Sequence, residues 1–456
     1  MTILHYLRPM LAAVSLLVLA AAGTLATAIA QEEIAREEDD ELGLRGRVAP
    51  QEEAPALWNL EVADAAAEEP ASSEPRGRDR DEDPYAPIGV RIGTFIVLPS
   101  LELWTGYSDN VAQRSVAPRG GGYGRLVPGV EFRSDWNRHE LRGRAAASYR
   151  TRSTAQDEAQ ITIDSELAGR VDIRTGLHAD LRASYRRDPE SRDDPNVPPG
   201  VDDDMDVERI RGEASITREI GRVGLTLRGA VQKNNYDDDA AIARMPRDYR
   251  SEEVGGRASY ELVEGAALFV DSTLNRRRYD QPFSPAGPRR GSRGYKVLTG
   301  VEVRLTPVIS GEAGIGYQRQ TPDDPVLAVV DGPAFQGSLT WEPSALTTVT
   351  LSGALTAEEA SIDPFVSGAR VGRANLSVTH ALRRNLIATL NLGYTRTSYV
   401  GAPQRETFRR AGLGLEYLMS REVALVAEAS HQRFASSVPG SDYNETRVEV
   451  GVRVRR

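Results

Sequence analysis

The side chains that could do chemistry are few and far apart. Ser430 with His431, and Ser377 with His380, are the pairs that could supply a serine nucleophile and an imidazole base. Asp193-Asp194 and Asp202-Asp203-Asp204 with Asp206 gather carboxylate oxygens of the kind that hold Ca²⁺ or Mg²⁺. Gly120-Gly121-Gly122-Tyr123-Gly124 has the composition of a phosphate loop. Each also has a plainer reading. A barrel hydrolase would need its Ser/His site near a rim, the aspartate runs suit a repelling acidic surface loop, and no helix follows the glycines to present its N-terminus. The five histidines (His5, His139, His178, His380, His431) show no His-x-His or i, i+4 pairing for a metal. The absence of cysteine removes thiol catalysis, thiolate metal sites and iron–sulfur clusters. The expectation is no catalytic residue, no metal, no cofactor and no enzyme.

What remains is charge placed at alternate positions. In the stretch Ile161–Tyr185, Ile161, Ile163, Leu167, Val171 and Ile173 fall on one parity and Asp164, Glu166, Arg170 and Asp172 on the other. Arg174-Thr175-Gly176 then turns the chain, and the alternation resumes with Leu177, Ala179, Leu181, Ala183 and Tyr185 against Asp180, Arg182 and Arg186. Successive side chains of a strand point to opposite faces, so this is a hairpin with one apolar and one charged face. The same hairpin recurs to the last residue, as in Leu386–Tyr394 and Val448–Val454. Counted from Leu98, it gives roughly eighteen strands, an even number as closed antiparallel barrels require.

The connections sort by length. Short turns such as Arg174-Thr175-Gly176, Ile220-Gly221, Glu264-Gly265 and Ser420-Arg421 alternate with mostly long polar loops such as Ser108–Gly122, Asp188–Asp206, Tyr236–Arg247 and Glu358–Ser367. Up-and-down connectivity places all the turns at one end and all the loops at the other, as in outer-membrane barrels. On the apolar parity, Tyr107, Tyr149, Tyr185, Tyr317 and Tyr394 close strands at the loop end, and Tyr260, Trp341 and Tyr417 stand near the turns. Two aromatic girdles on one face suit two membrane–water boundaries. The expected fold is all-β: a closed antiparallel up-and-down transmembrane barrel that contacts outer-membrane lipid. Its polar parity then lines a lumen with Arg142, Arg144, Arg182, Arg211, Arg228, Arg304 and Arg373 beside Asp164, Glu166, Asp180, Glu213, Asp271, Glu302, Glu416, Glu428 and Glu449.

Residues 1–30 carry His5 and Arg8, an apolar run from Met10 to Ala22 and Ala28-Ile29-Ala30 before Gln31, the layout of a signal peptide; an N-terminal anchor is the alternative. Residues 31–83 are acidic and poor in aromatics, which predicts a disordered periplasmic arm serving as tether, plug or partner-binding segment. Residues 84–97 lead into a barrel over 98–456. The net charge of −10 argues against nucleic acid as a partner.

Asp83-Pro84-Tyr85-Ala86-Pro87-Ile88-Gly89-Val90-Arg91-Ile92-Gly93, then Phe95-Ile96-Val97-Leu98-Pro99-Ser100-Leu101-Glu102 and Tyr107-Ser108-Asp109-Asn110, resembles the alphaproteobacterial outer-membrane proteins of the Putative beta-barrel porin 2 family. The resemblance spans residues 83–456 and implies an outer-membrane barrel associated with surface polysaccharide export; it brings no catalytic residues. Glu449, Gly451 and Val454 fit the terminal pattern read by the barrel assembly machinery, whereas Arg456 takes the place of the final aromatic. Two functions follow as expectations. One is a channel for a polar solute or polysaccharide. The other is a structural barrel with a salt-bridged lumen whose loops or arm bind a partner.

Overall fold

The computed structural model describes residues 84–152, 159–191, 194–196, 206–237, 247–281, 287–306 and 308–456. The predicted signal peptide and acidic arm, like Asp193 and Asp202-Asp203-Asp204, lie outside them. The strands are β1 (Val90–Ile92), β2 (Phe95–Ser108), β3 (Gly121–Ser134), β4 (Glu140–Arg152), β5 (Gln160–Arg174), β6 (Leu177–Pro189), β7 (Asp206–Ile220), β8 (Val223–Tyr236), β9 (Tyr249–Val263) and β10 (Ala266–Tyr279). They continue as β11 (Ser292–Thr306), β12 (Ile309–Pro322), β13 (Val330–Ser344), β14 (Thr347–Glu358), β15 (Gly368–Arg383), β16 (Leu386–Val400), β17 (Arg405–Leu418), β18 (Val423–Ser436) and β19 (Tyr443–Arg455).

From β2 onward each strand pairs antiparallel with the next. β19 then pairs with β2, setting Arg447 opposite Ser108 and Arg455 opposite Ser100. This pairing closes the eighteen strands into a barrel, as hydrocarbon demands. The short turns use glycine where the backbone needs positive φ: Gly176 sits at φ 67°, and a Cβ there would stand 3.0 Å from the Glu219 carbonyl oxygen.

The register fixes two faces. Leu101, Leu103 and Tyr107 of β2 point outward and are 41 %, 57 % and 57 % exposed. The intervening Glu102, Trp104 and Gly106 point into the barrel. All eight predicted girdle residues lie outward, and Tyr295 joins them opposite Arg319.

The first barrel strand begins at Phe95, three residues before the expected Leu98. Phe95-Ile96-Val97-Leu98 is apolar on both parities, which hides its alternation. Phe95 packs outward against Phe132 and Trp136, at ring-centroid distances of 6.0 and 5.5 Å. β1 pairs with residues 95–97 of β2, in the place that β19 vacates beyond Ser100. The strand edge at the seam is thereby covered, and Arg91 ties β1 to Asp135 at 2.6 Å.

Candidate functional site

The site is the lumen. All sixteen residues predicted to line it fall on the inward parity by register. The seven predicted arginines are each paired with a carboxylate. Arg228 grips Asp271 with two hydrogen bonds, of 2.7 and 2.6 Å, and reaches Thr273. Arg211 meets Glu213 at 2.6 Å, and Arg304 meets Glu302 at 2.8 Å. Arg144 spans Asp164 at 3.4 Å and Glu166 at 4.0 Å, while Arg182 approaches Glu166 at 3.7 Å. Arg142 stands 3.7 Å from Glu140 near the short turns, and Arg373 pairs with Glu358. Asp180 faces His178 at 3.5 Å, and Glu428 is opposite Glu449 in register.

Several of the strongest pairings involve residues outside that set. Arg257 bridges Glu302 at 2.9 Å and Glu312 at 2.6 Å, with its guanidinium 3.9 Å above the ring of Phe269. Phe269 lies across the glycines of β11 and β12: a Cβ on Gly300 would be 2.6 Å from its ring, and one on Gly314 would be 3.1 Å away. At the β19–β2 seam Arg453 joins Glu102 at 2.5 Å and Glu416 at 2.7 Å. Above it, Glu449 accepts from Tyr123 at 2.5 Å and Arg125 at 3.0 Å, and Arg125 lies 4.8 Å from the Trp104 ring. The sequence signal for Arg257 is its shared parity with Ser259 and Glu253, obscured by Gly255-Gly256.

The wall is not uniform. From β13 to β16 most inward positions toward the short turns are hydroxyls and amides, while β17 carries Gly414 and Glu416 there. Ser338 is opposite Ser352, Thr340 opposite Thr350, Ser377 opposite Asn391 and Thr379 opposite Thr389. The charged wall on β4–β12 and the neutral wall thus face one lumen. A cavity of about 390 Å³ opens against the charged side, lined among others by Arg144, Glu166, Arg211, Asp271, Gln336 and Arg373.

A roof closes over this cavity at the long-loop end. The β6–β7 loop meets the β14–β15 loop: Ser361 N donates to Pro195 O at 3.2 Å, and Ser361 Oγ to Asn196 Oδ1 at 3.1 Å. Arg247 donates to both Glu190 oxygens, at 2.8 and 2.9 Å, and to Asn196 O at 3.0 Å, while stacking 4.5 Å over Tyr236. Arg277 and Tyr279 both donate to Glu359 at 2.6 Å, and Arg290 to Ala360 O at 2.5 Å. Burial pushes the Glu190 carboxyl up to about 8, against the pull of Arg247. Asp194, expected on a solvated acidic surface, is instead buried, binding Asn196 at 2.8 and 3.0 Å and Arg209 at 3.4 Å. The lumen tyrosines Tyr236, Tyr249 and Tyr279 cluster beneath the roof, the first two with centroids 6.5 Å apart and the last two 5.4 Å apart.

The Ser/His pairs come apart. Ser430 points into the lumen and His431 outward, where its Nδ1 meets Thr446 Oγ1 at 3.1 Å. Ser377 is likewise inward and His380 outward, with Nδ1 2.9 Å from Thr347 Oγ1. Neither imidazole reaches its serine. In the glycine run, Gly121, Gly122 and Gly124 sit in strand β3.

A closed barrel of lipid-facing apolar residues, aromatic girdles and a polar lumen defines an outer-membrane protein of the porin type. The chain belongs to the Putative beta-barrel porin 2 family, whose model matches residues 83–456. No curated protein matches the sequence. Among solved structures it is similar to the outer membrane protein opdK of Pseudomonas aeruginosa, with 12 % identity, 79 % of this chain and 99 % of that one covered, and a TM-score of 0.41. It is similar also to OccK11 (OpdR) of Pseudomonas aeruginosa, with 13 % identity, 79 % and 96 % covered, and a TM-score of 0.39. These distant likenesses add nothing to the chemistry of the lumen.

Proposed function

We propose that the barrel is a channel for a polar solute and that its lumen favours an uncharged, hydroxyl-rich one. The observation that carries this reading is the division of the inner wall. On one side the arginines and carboxylates neutralise one another, which among the described residues leaves no stripe of one sign to drive ion selectivity. On the other, Ser, Thr and Asn side chains offer neutral donors and acceptors at successive heights. A solute that exchanges one such hydrogen bond for the next is held weakly at each step, which conduction requires. A carbohydrate chain has this chemistry. A role in surface polysaccharide export rests on that match together with the family.

The test is single-channel recording of the refolded full chain in a planar bilayer, with neutral and charged oligosaccharides added to one side. The expected result is weak ion selectivity, with current interruptions by neutral oligosaccharides at least as frequent as by charged ones. Strong anion or cation selectivity, or indifference to neutral sugars, overturns it.

The roof favours a second reading, a barrel closed at rest whose role is structural or partner-binding. Silence from a folded barrel, both in the wild type and after the roof is loosened, would select that reading.

A further inference from the structure

The outward parity of β16, β17 and β18 changes character along its length. Toward the short turns it is apolar, with Leu390, Leu413, Leu415 and Leu425 exposed. Toward the long loops it carries Arg396, Arg409 and Arg433, all exposed. Arg409 stands directly across from Arg433 on one side and from the girdle residue Tyr394 on the other. The pair therefore lies at the height of the aromatic belt. Arg396 is two residues beyond Tyr394, diagonal to Arg409.

Like charges directly opposed across a sheet are destabilising. Elsewhere at this level several outward cations have acidic neighbours: Arg187 meets Asp206 at 2.9 Å, and Arg319 and Arg370 approach Asp331 at 4.0 and 3.9 Å. In another opposed pair, Arg276 and Arg293, Arg276 has Glu252 opposite it on its other side and Arg293 has Thr321. Among the described residues, Arg396, Arg409 and Arg433 have no carboxylate partner.

We propose that these three arginines form a binding site for the phosphate groups of an anionic lipid in the leaflet on the long-loop side. A guanidinium presents paired donors that match phosphate oxygens, and one phosphate between Arg409 and Arg433 replaces their repulsion with two charge-assisted contacts. Free phosphate could satisfy the charge alone. The geometry selects a lipid, because Leu390 and Leu413 lie on the same outward face immediately below and require acyl chains against them. The site is on the outside of the wall and is independent of what crosses the lumen.

The experiment uses the refolded full chain in nonionic micelles, with folding checked by heat-modifiable migration. Native mass spectrometry then measures retention of bisphosphorylated lipid A, dephosphorylated lipid A and phosphatidylcholine, and competition by inorganic phosphate. The wild type should hold the bisphosphorylated lipid preferentially and resist equimolar inorganic phosphate. R396Q/R409Q/R433Q should weaken that binding roughly a hundredfold, since each cation near an anionic surface contributes several-fold. The charge-keeping R396K/R409K/R433K should retain more of it than the glutamine variant. The proposal is overturned by equal retention of the dephosphorylated lipid, by displacement with equimolar inorganic phosphate, or by equal binding to wild type and glutamine variant. A lipid-indifferent dimer that the glutamine variant dissolves would also overturn it, by placing a second copy on the patch. If the glutamine variant does not fold, the headgroup comparison on the wild type decides by itself.

Discussion

Removing Arg247 should unlatch the roof. Its side chain is fully buried and Glu190 is 2 % exposed, so the pair is screened by almost no water. The guanidinium also ties down Asn196 O, which brings the β6–β7 loop to Ser361 of the β14–β15 loop. Breaking a buried pair by deleting one partner costs about 3–5 kcal/mol. Here burial already holds the Glu190 carboxyl at about 8, so near neutral pH R247A strands little charge; what it removes is the charged hydrogen bonds to Glu190 and Asn196 O, together about 3 kcal/mol. That shifts the docked-to-undocked ratio of the roof roughly a hundredfold toward undocked. In planar-bilayer recordings R247A should therefore spend most of its time in the larger conductance level, which the wild type visits rarely. The double variant E190Q/R247M removes both charges at similar volume and should restore much of the wild-type pattern. Equal open-time fractions for wild type and R247A, with both shown to be folded, would refute the latch.

Three further outcomes follow from the same geometry. Because burial holds the Glu190 carboxyl at about 8, above its ordinary value, docking of the roof is favoured most below the ordinary carboxylate range and is lost as pH rises through about 8; the open fraction should climb between pH 5 and pH 8, and a flat profile would exclude Glu190 as the sensor. Leu390 and Asn391 are neighbours on opposite faces of β16, so L390R should cost about 2–4 kcal/mol in unfolding titrations from lipid while N391R is close to neutral, and equal effects would disprove the register. Arg453 sits between Glu102 and Glu416 at the closing seam, so R453M strands two inward carboxylates and should lower unfolding stability by about 3 kcal/mol, whereas a loss below about 1 kcal/mol would show the seam to rest on backbone pairing alone.

The barrel was legible in the sequence because a strand crossing a bilayer must write its two environments at alternate residues. Ile161, Ile163 and Leu167 against Asp164 and Glu166 state both faces, and the structure places them as that pattern requires. Where a run is apolar on both parities, as at Phe95–Leu98, or broken by glycine, as before Arg257, the signal fades. Strand edges and hub residues are missed there. The roof left no periodic trace at all. Glu190, Asn196, Arg247 and Ser361 lie in three different loops. Their meeting depends on where closure of the sheet brings β6–β9 relative to β14–β15, a property of the whole cylinder. Alternation also gives the face of a charge but not its partner. Parity shows only that Arg228 is one of the seven arginines predicted inward; its two bonds to Asp271 cross over Gly255, where a Cβ would stand 2.9 Å from the guanidinium. The absence of a side chain at that glycine lets Arg228 and Asp271 close into a neutral rung. The lumen's electrostatics are therefore set as much by where glycine lets an arginine lie across the wall as by how many arginines face inward.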